Sequence, residues 1–399
     1  MLYLNQRGVH KPRLTKARRE MKYTWGLRRQ FLPTLMHRTL LVWILAVIVS
    51  RPAVAKAPYL FNDSHFHLTN YIQEGPDVHT YLAMMGDKVG RSTLFGIPVQ
   101  QMWSFCNSGT FAPTYYTQTD APLYYYSFTD AVIAMEYRSL TPEQQARLDP
   151  MITGFNPADM YAVDHIKRVL ATFPGVFSGI GEFSIHKEFV SSKIAGPTAS
   201  LTDPALDRIL DFAAEAGLVV ILHNDVDTPY PKPDQDTYML SQLRELFLRH
   251  PKTTIIWAHC GLGRIVRPIQ DQLGRRLERA LADPQLKHVS IDLSWEELAK
   301  YIVATSGTVQ TVAAVINKYP DRFLFGSDVV APSGIDAQLK VYETYQPLWD
   351  ALKPEVRQMV TTGNYERLFD EGRKRVRAWE RAHIGTLKAP SGPFPLNGD

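Results

Sequence analysis

Chemistry in this sequence gathers first at Asn62-Asp63-Ser64-His65-Phe66-His67-Leu68, where two histidines stand two residues apart. On a β-strand, residues i and i+2 share a face, so both imidazoles project together and Asp63 is expected beside them. Two neutral imidazoles converging on a point begin a transition-metal site. A lone H-x-H pair is as readily an ordinary surface or core feature. Four further candidate ligands shift the reading, because each stands where a short apolar run ends: Glu182, His223, His259 and Asp328. Imidazole together with carboxylate suits Zn²⁺, with Mn²⁺ or Fe²⁺ as alternatives. A bound cation lowers the pKa of its water toward about 7, making hydroxide available at neutral pH. Asp328 has the chemistry to bind metal through one oxygen and move the water's proton through the other. Its structural alternative is a helix cap after a strand.

Those residues need a scaffold that brings distant strand ends together. From Pro58 the chain alternates short apolar runs with longer amphipathic ones, the pattern of βαβ units and a parallel sheet. Strands are expected at 59–68, 92–99, 151–155, 176–183, 218–223, 253–259, 287–293 and 322–328. A helix is expected over 204–216, led by Thr202-Asp203-Pro204 and ended by Gly217. The reading is α/β, a closed (β/α)8 TIM-like barrel, in which reactive groups sit at the C-terminal ends of strands. An open doubly wound sheet is the alternative, but it does not call for ligands at so many strand ends. The candidates map to strands 1, 4, 5, 6 and 8, leaving strand 7 without one. The stretch 101–130, with Tyr124-Tyr125-Tyr126, is too long and aromatic for a plain connector; it reads as an inserted lid, binding wall or capping loop.

The 399 residues carry a formal net charge of +4, much of it in the first forty residues, at positions such as Lys11, Arg18, Arg19, Arg28 and Arg29. The body is near neutral, so it offers no electrostatic footprint for nucleic acid. With two cysteines, Cys106 and Cys260, the chain is not a disulfide scaffold. Leu40 to Val49 is an apolar run preceded by His37-Arg38 and followed by Pro52-Ala53-Val54-Ala55. A charged region, a short apolar core and an A-x-A-like cleavage site make 1–55 an export signal segment and 56–399 the mature barrel. A chain starting at Met36 would make a more compact signal, whereas Arg28-Arg29-Gln30-Phe31-Leu32 resembles a twin-arginine motif. Both routes lead to the periplasm or outside. An uncleaved anchor is the alternative, and membrane contact is expected only through this segment.

Five segments, NDSHFHL, GIGEF, VVILHND, IIWAHCG and LFGSD, together resemble the amidohydrolase superfamily. Gly363-Asn364-Tyr365-Glu366-Arg367-Leu368-Phe369 is similar to the closing-helix motif of its amidohydrolase-related (amidohydrolase-2) branch. The resemblance implies metal ligation by His65, His67, His223, His259 and Asp328, and a hydrolase acting on a small molecule. Glu182 departs from the branch, many of whose mononuclear members, decarboxylases included, lack a metal-binding residue on strand 4. In members with two metals, that position bridges them. Glu182 is therefore expected to bridge two ions or, in a one-ion centre, to orient a histidine. Asn224, Asp225, Arg264, Trp295 and His186 lie just past strand ends, and of these Arg264, Asn224 and Trp295 are the substrate-side candidates. The expectation is an exported hydrolase that uses metal-bound hydroxide to cleave an amide, lactone, ester or phosphoester. The rivals are a mononuclear decarboxylase and a metal-binding barrel without turnover.

Overall fold

The computed structural model describes residues 59–101, 123–125, 128–187, 200–227, 239–268 and 272–385. The expected export segment, Cys106 and most of the Tyr-rich insertion lie outside the described residues.

Eight strands stand in one sheet of parallel neighbours, in chain order: β1 (Phe61–Asp63), β2 (Val89–Leu94), β3 (Leu148–Ile152), β4 (Gly179–Ser184), β5 (Val219–His223), β6 (Ile255–Trp257), β7 (Val289–Leu293) and β8 (Phe323–Phe325). The Ser64 amide donates to the Phe325 carbonyl at 3.0 Å, carrying the last strand back to the first. The fold is a (β/α)8 barrel. The principal helices are α1 (Val78–Met85), α2 (Phe128–Arg138), α3 (Ala162–Thr172), α4 (Pro204–Ala216), α5 (Leu240–Arg249), α6 (Gln272–Leu281), α7 (Ser306–Lys318), α8 (Asp336–Thr344) and α9 (Asn364–His383). Among the described residues, no helix is long and apolar enough to cross a membrane.

Helix α4 shows how local chemistry sets an element. The Asp203 side chain accepts from the Ala205 amide at 2.9 Å, and Pro204 supplies a preset φ at the first helical position. Gly217 then ends the helix with φ +79°, where a Cβ would meet Arg375. Leu206, Ile209, Leu210 and Ala213 form its buried stripe.

Two apolar cores result. One lies between strands and helices. The other fills the barrel, where Phe95, Met151, Ile221 and Leu324 pack with Tyr365 and Phe369 of α9. The closing helix thus pushes two stacked rings, centroids 4.4 Å apart, into the lumen. Full burial of such side chains is worth roughly 1.5–3 kcal/mol each. Beneath them Asp149 of β3 accepts from Arg373 at 2.7 Å, Arg91 at 2.8 Å and the Tyr365 hydroxyl at 2.8 Å.

Several strand boundaries differ from the expected ones, and hydrogen bonding supplies the reason. The first apolar stretch breaks at Ser64-His65; Phe66–His67 then forms a separate short ladder with Val329–Val330. The second strand is Val89–Leu94 rather than 92–99 because Val99–Gln101 pairs antiparallel with Leu123–Tyr125 at the root of the insertion. The third begins at Leu148, so the polar Asp149 and Pro150 lie within it.

Candidate metal centre

The break after β1 decides what its side chains face. Because alternation resets there, Asp63 does not join the two histidines. Its carboxylate turns instead to the Ser327 amide and hydroxyl, at 2.8 and 2.6 Å, and to the Gln338 side-chain amide at 2.8 Å. It also accepts from the His65 amide at 3.1 Å, while the His65 carbonyl accepts from the Asp328 amide at 2.7 Å. Asp63 is a buried brace that ties the first strand end to the last.

Four side chains then converge over the barrel mouth. Asp328 Oδ1 lies 3.3 Å from both His65 Nε2 and His67 Nε2, and Glu182 Oε2 lies 3.7 Å from the same two atoms. Ligands held about 2.0–2.2 Å from one tetrahedral zinc stand roughly 3.3–3.6 Å from each other. The 3.3 Å spacings fall in that range and the 3.7 Å spacings lie just beyond it, close to the corners around a shared ion. His65, His67, Glu182 and Asp328 form one such group, with two more at His65, His259 and Asp292 and at Glu182, His223 and His259.

Hydrogen bonds settle which ring nitrogen is bare. His65 Nδ1 bonds the Asp292 carboxylate at 2.9 Å, and His67 Nδ1 faces the Gly96 carbonyl at 3.4 Å. Ser294 gives its one proton to Asp292, so its oxygen accepts from His259 Nδ1 at 2.7 Å. In the neutral form of each of the three rings Nε2 is left with the lone pair, the arrangement that neighbouring acceptors impose on metal-binding histidines. The Nε2 atoms of His65 and His259 are buried and lack any hydrogen-bond partner. Uncompensated buried polar atoms are costly, and a cation among His65, His67, Glu182 and Asp328 resolves the one on His65.

The ionisation balance agrees. Burial alone would raise the pKa of Asp328, but His65, His259 and His67 hold it well below the usual carboxylate range. Burial likewise opposes ionisation of Glu182, and Lys187 with the surrounding histidines reverses that. Burial lowers His67 and His259, keeping them neutral. At His65 burial is overcome by Asp328 and Asp292, which raise its pKa well above the ordinary histidine value. A cation entering this nest therefore displaces a proton.

His223 is placed differently. Its Nδ1 lies 2.7 Å from Glu182 Oε1 and its Nε2 3.0 Å from Asp225 Oδ1, so each ring nitrogen meets a carboxylate. Of the substrate-side candidates, Trp295 packs against the His259 ring at 5.2 Å, and the exposed Arg264 guanidinium lies over its indole at 5.1 Å. Asn224 is fully buried; its side-chain nitrogen donates to the Asp225 carbonyl at 2.8 Å, and its Oδ1 has no hydrogen-bond partner among the described residues. His186 is half-buried, with its carbonyl accepting from the Asp225 amide at 2.9 Å.

Three residues beyond the expected set belong to the site. Strand 7, which carried no expected ligand, supplies Asp292 and then Ser294, which orient His65 and His259. Lys187, five residues beyond Glu182, is buried with its ammonium 3.7 Å from Glu182 Oε1 and 5.4 Å from the Trp295 ring. The polar Asp292 inside the apolar run of KHVSIDLSW was the available signal; Lys187 had none. His259, Cys260, Trp295 and Asp328 all take positive φ, between 54° and 79°. Such backbone is strained for side-chain-bearing residues and clusters at functional sites. Here it turns the chain sharply at three strand ends, and bonds such as His259 N to Asp292 at 2.7 Å hold it there. At β4 the ladder slips between Ile180 and Phe183, and a Cβ on Gly181, φ +111°, would lie 2.2 Å from the Ile221 carbonyl. That close approach requires glycine immediately before Glu182. An apolar cavity of about 260 Å³ lies outside the barrel between α5 and α6; no candidate ligand borders it.

A barrel whose mouth gathers imidazoles and carboxylates around one point defines a class of metal-dependent enzyme. A family model for amidohydrolases (Amidohydro_2) matches residues 63–370, and the chain belongs to that family. A search of curated proteins finds no match. Among solved structures, a putative 2-pyrone-4,6-dicarboxylic acid hydrolase from Pseudomonas putida is 15% identical, with 78% of this chain and 98% of that one covered and a TM-score of 0.46. A zinc-bound amidohydrolase from Burkholderia multivorans is 15% identical, covering 78% and 99%, with a TM-score of 0.47. A 2,6-dihydroxybenzoate decarboxylase complexed with 2,6-dihydroxybenzoate is 13% identical, covering 78% and 98%, with a TM-score of 0.42.

Proposed function

We propose that the chain is an exported hydrolase that cleaves an ester, lactone, amide or phosphoester in a small molecule, using a divalent cation, zinc foremost, at the barrel mouth. The observation that carries this is the pair of buried, partnerless Nε2 atoms of His65 and His259 facing an ionised Asp328. His65, His67 and Asp328, with one oxygen of Glu182, are the residues that would hold the ion. When bound, it supplies Lewis acidity and lowers the pKa of a water to about 7.

The protein's own groups then divide the work. Asp328 directs Oδ1 toward His65 and His67, while Oδ2 faces His259 Nε2 at 3.9 Å. Oδ2 is thus placed to take the attacking water's proton and later return it to the leaving group. His259, held neutral and oriented by Ser294, offers a second acceptor on the same side. Asp292 keeps His65 in the tautomer that turns Nε2 to the centre. Trp295 and Arg264 form the rim where a planar or anionic part of the substrate would rest.

A mononuclear decarboxylase is the second reading, favoured by the fact that only one oxygen of Glu182 faces His65 and His67. Zinc-loaded protein assayed on lactones, esters, amides, phosphoesters and unsaturated or aromatic carboxylates separates the two. Hydrolysis that disappears on chelation and returns with zinc supports the hydrolase; carbon dioxide release supports the rival; no turnover on any class contradicts both. Export rests on the 40–55 pattern. Amino-terminal sequencing of the native protein is expected to begin near Lys56, and an intact cytoplasmic chain would contradict export.

A further inference from the structure

The two oxygens of Glu182 live in different surroundings. Oε2 faces the Nε2 atoms of His65 and His67 at the spacing of co-ligands. Oε1 faces two protein donors, His223 Nδ1 at 2.7 Å and the Lys187 ammonium at 3.7 Å, and stands 3.6 Å from the unprotonated His259 Nε2. If Glu182 bridged two ions, the second would bind Oε1 with His223 and His259. Yet the Nδ1–Oε1 separation of 2.7 Å is a hydrogen bond, shorter than the roughly 3.3–3.6 Å between two ligands of one tetrahedral ion. His223 is also anchored from behind by Asp225 at 3.0 Å.

Charge points the same way. Lys187 is 5% exposed, and a buried ammonium needs anionic compensation. An ion bound to Oε1 at about 2.1 Å would stand no farther than roughly 6 Å from Nζ, inside a mouth of low dielectric where like charges repel strongly. The Trp295 indole, 5.4 Å from Nζ, further fixes the ammonium on this side of Glu182.

We propose that the Lys187 ammonium stands where a second cation would otherwise neutralise Glu182, so that the centre holds a single divalent ion and Lys187 sets that number. The inference rests on the metal reading given above but goes beyond it: Glu182 is a one-ion ligand whose second oxygen is held by protein.

Metal counting on the full folded chain tests it. Wild type, Lys187→Met, Lys187→Gln and Lys187→Arg are dialysed against buffered Mn²⁺ or Zn²⁺, and bound metal per chain is measured by mass spectrometry. Circular dichroism checks the fold, and the electron paramagnetic resonance spectrum of the Mn²⁺ forms distinguishes an isolated ion from a coupled pair. Wild type and Lys187→Arg are expected to saturate at one equivalent with an isolated-ion spectrum. Lys187→Met and Lys187→Gln are expected to accept a second equivalent with a coupled-pair spectrum. Two equivalents in wild type, whatever the variants do, would overturn the role of Lys187 and leave the metal reading intact, as would one equivalent in both folded neutral variants. No binding in wild type would overturn the metal reading itself.

Discussion

Two ends of the same barrel bury carboxylates and treat them in opposite ways. At the floor, Asp149 is surrounded by donors: Arg373 and Ser178 on one oxygen, Arg91 and the Tyr365 hydroxyl on the other. At the mouth, Asp328 and Glu182 face imidazole nitrogens, two of which have no hydrogen-bond partner. The floor carboxylate has protein donors on both oxygens and closes the barrel beneath the rings of Tyr365 and Phe369. The mouth is complete only when a cation is counted. A buried charge with every donor in place therefore marks structure, and one facing acceptors marks a site.

The comparison is broken most visibly by exchanging effects between the ends. Asp328→Asn is expected to lose about 10²–10⁴-fold in turnover, the usual worth of general acid–base catalysis, while the protein stays folded. Steady-state kinetics on zinc-replete variant would show it; near-normal turnover removes Asp328 from proton transfer. Asp149→Ala is expected to do the reverse. Removing the shared partner of two guanidinium groups costs roughly 3–5 kcal/mol of stability, read from urea denaturation, with zinc affinity unchanged in the folded fraction. Loss of zinc binding without loss of stability would erase the distinction between the ends.

A smaller, pH-dependent effect lies just past β3. Asp130 accepts from the Thr153 and Gly154 amides, yet burial pushes its pKa up to about 7 from 3.8. A carboxyl whose folded pKa is raised contributes stability that is full below about pH 4 and lost as pH rises through about 7. The urea midpoint of wild type is therefore expected to fall between pH 5 and 8 by more than that of Asp130→Asn. Equal slopes would show that Asp130 ionises normally in the folded chain.

Legibility in the sequence followed the range of the interactions involved. The barrel could be read because strands such as Val219–His223 are continuous apolar runs and helices such as α4 carry their own caps, as Asp203 and Gly217 show. The candidate residues at the mouth could be read because they stand at the ends of those runs. What could not be read depends on contacts far apart in the chain. Asp292 orients His65 across 227 positions, and Arg373 reaches Asp149 across 224. The left-handed turns at His259 and Asp328 were hidden because no glycine marks them; long-range bonds impose the strain. Asp63 was misplaced for a related reason. Alternation assumes an unbroken strand, and the chain leaves the ladder at Ser64-His65 to serve two sheets.

The central claim is that the mouth is a metal centre built on the first histidine pair. Equilibrium dialysis of wild type and the His65→Ala/His67→Ala double variant against buffered free zinc tests it most directly. The account predicts tight zinc in wild type and none at the same free zinc in a folded double variant. Equal zinc content in the two proteins would contradict it.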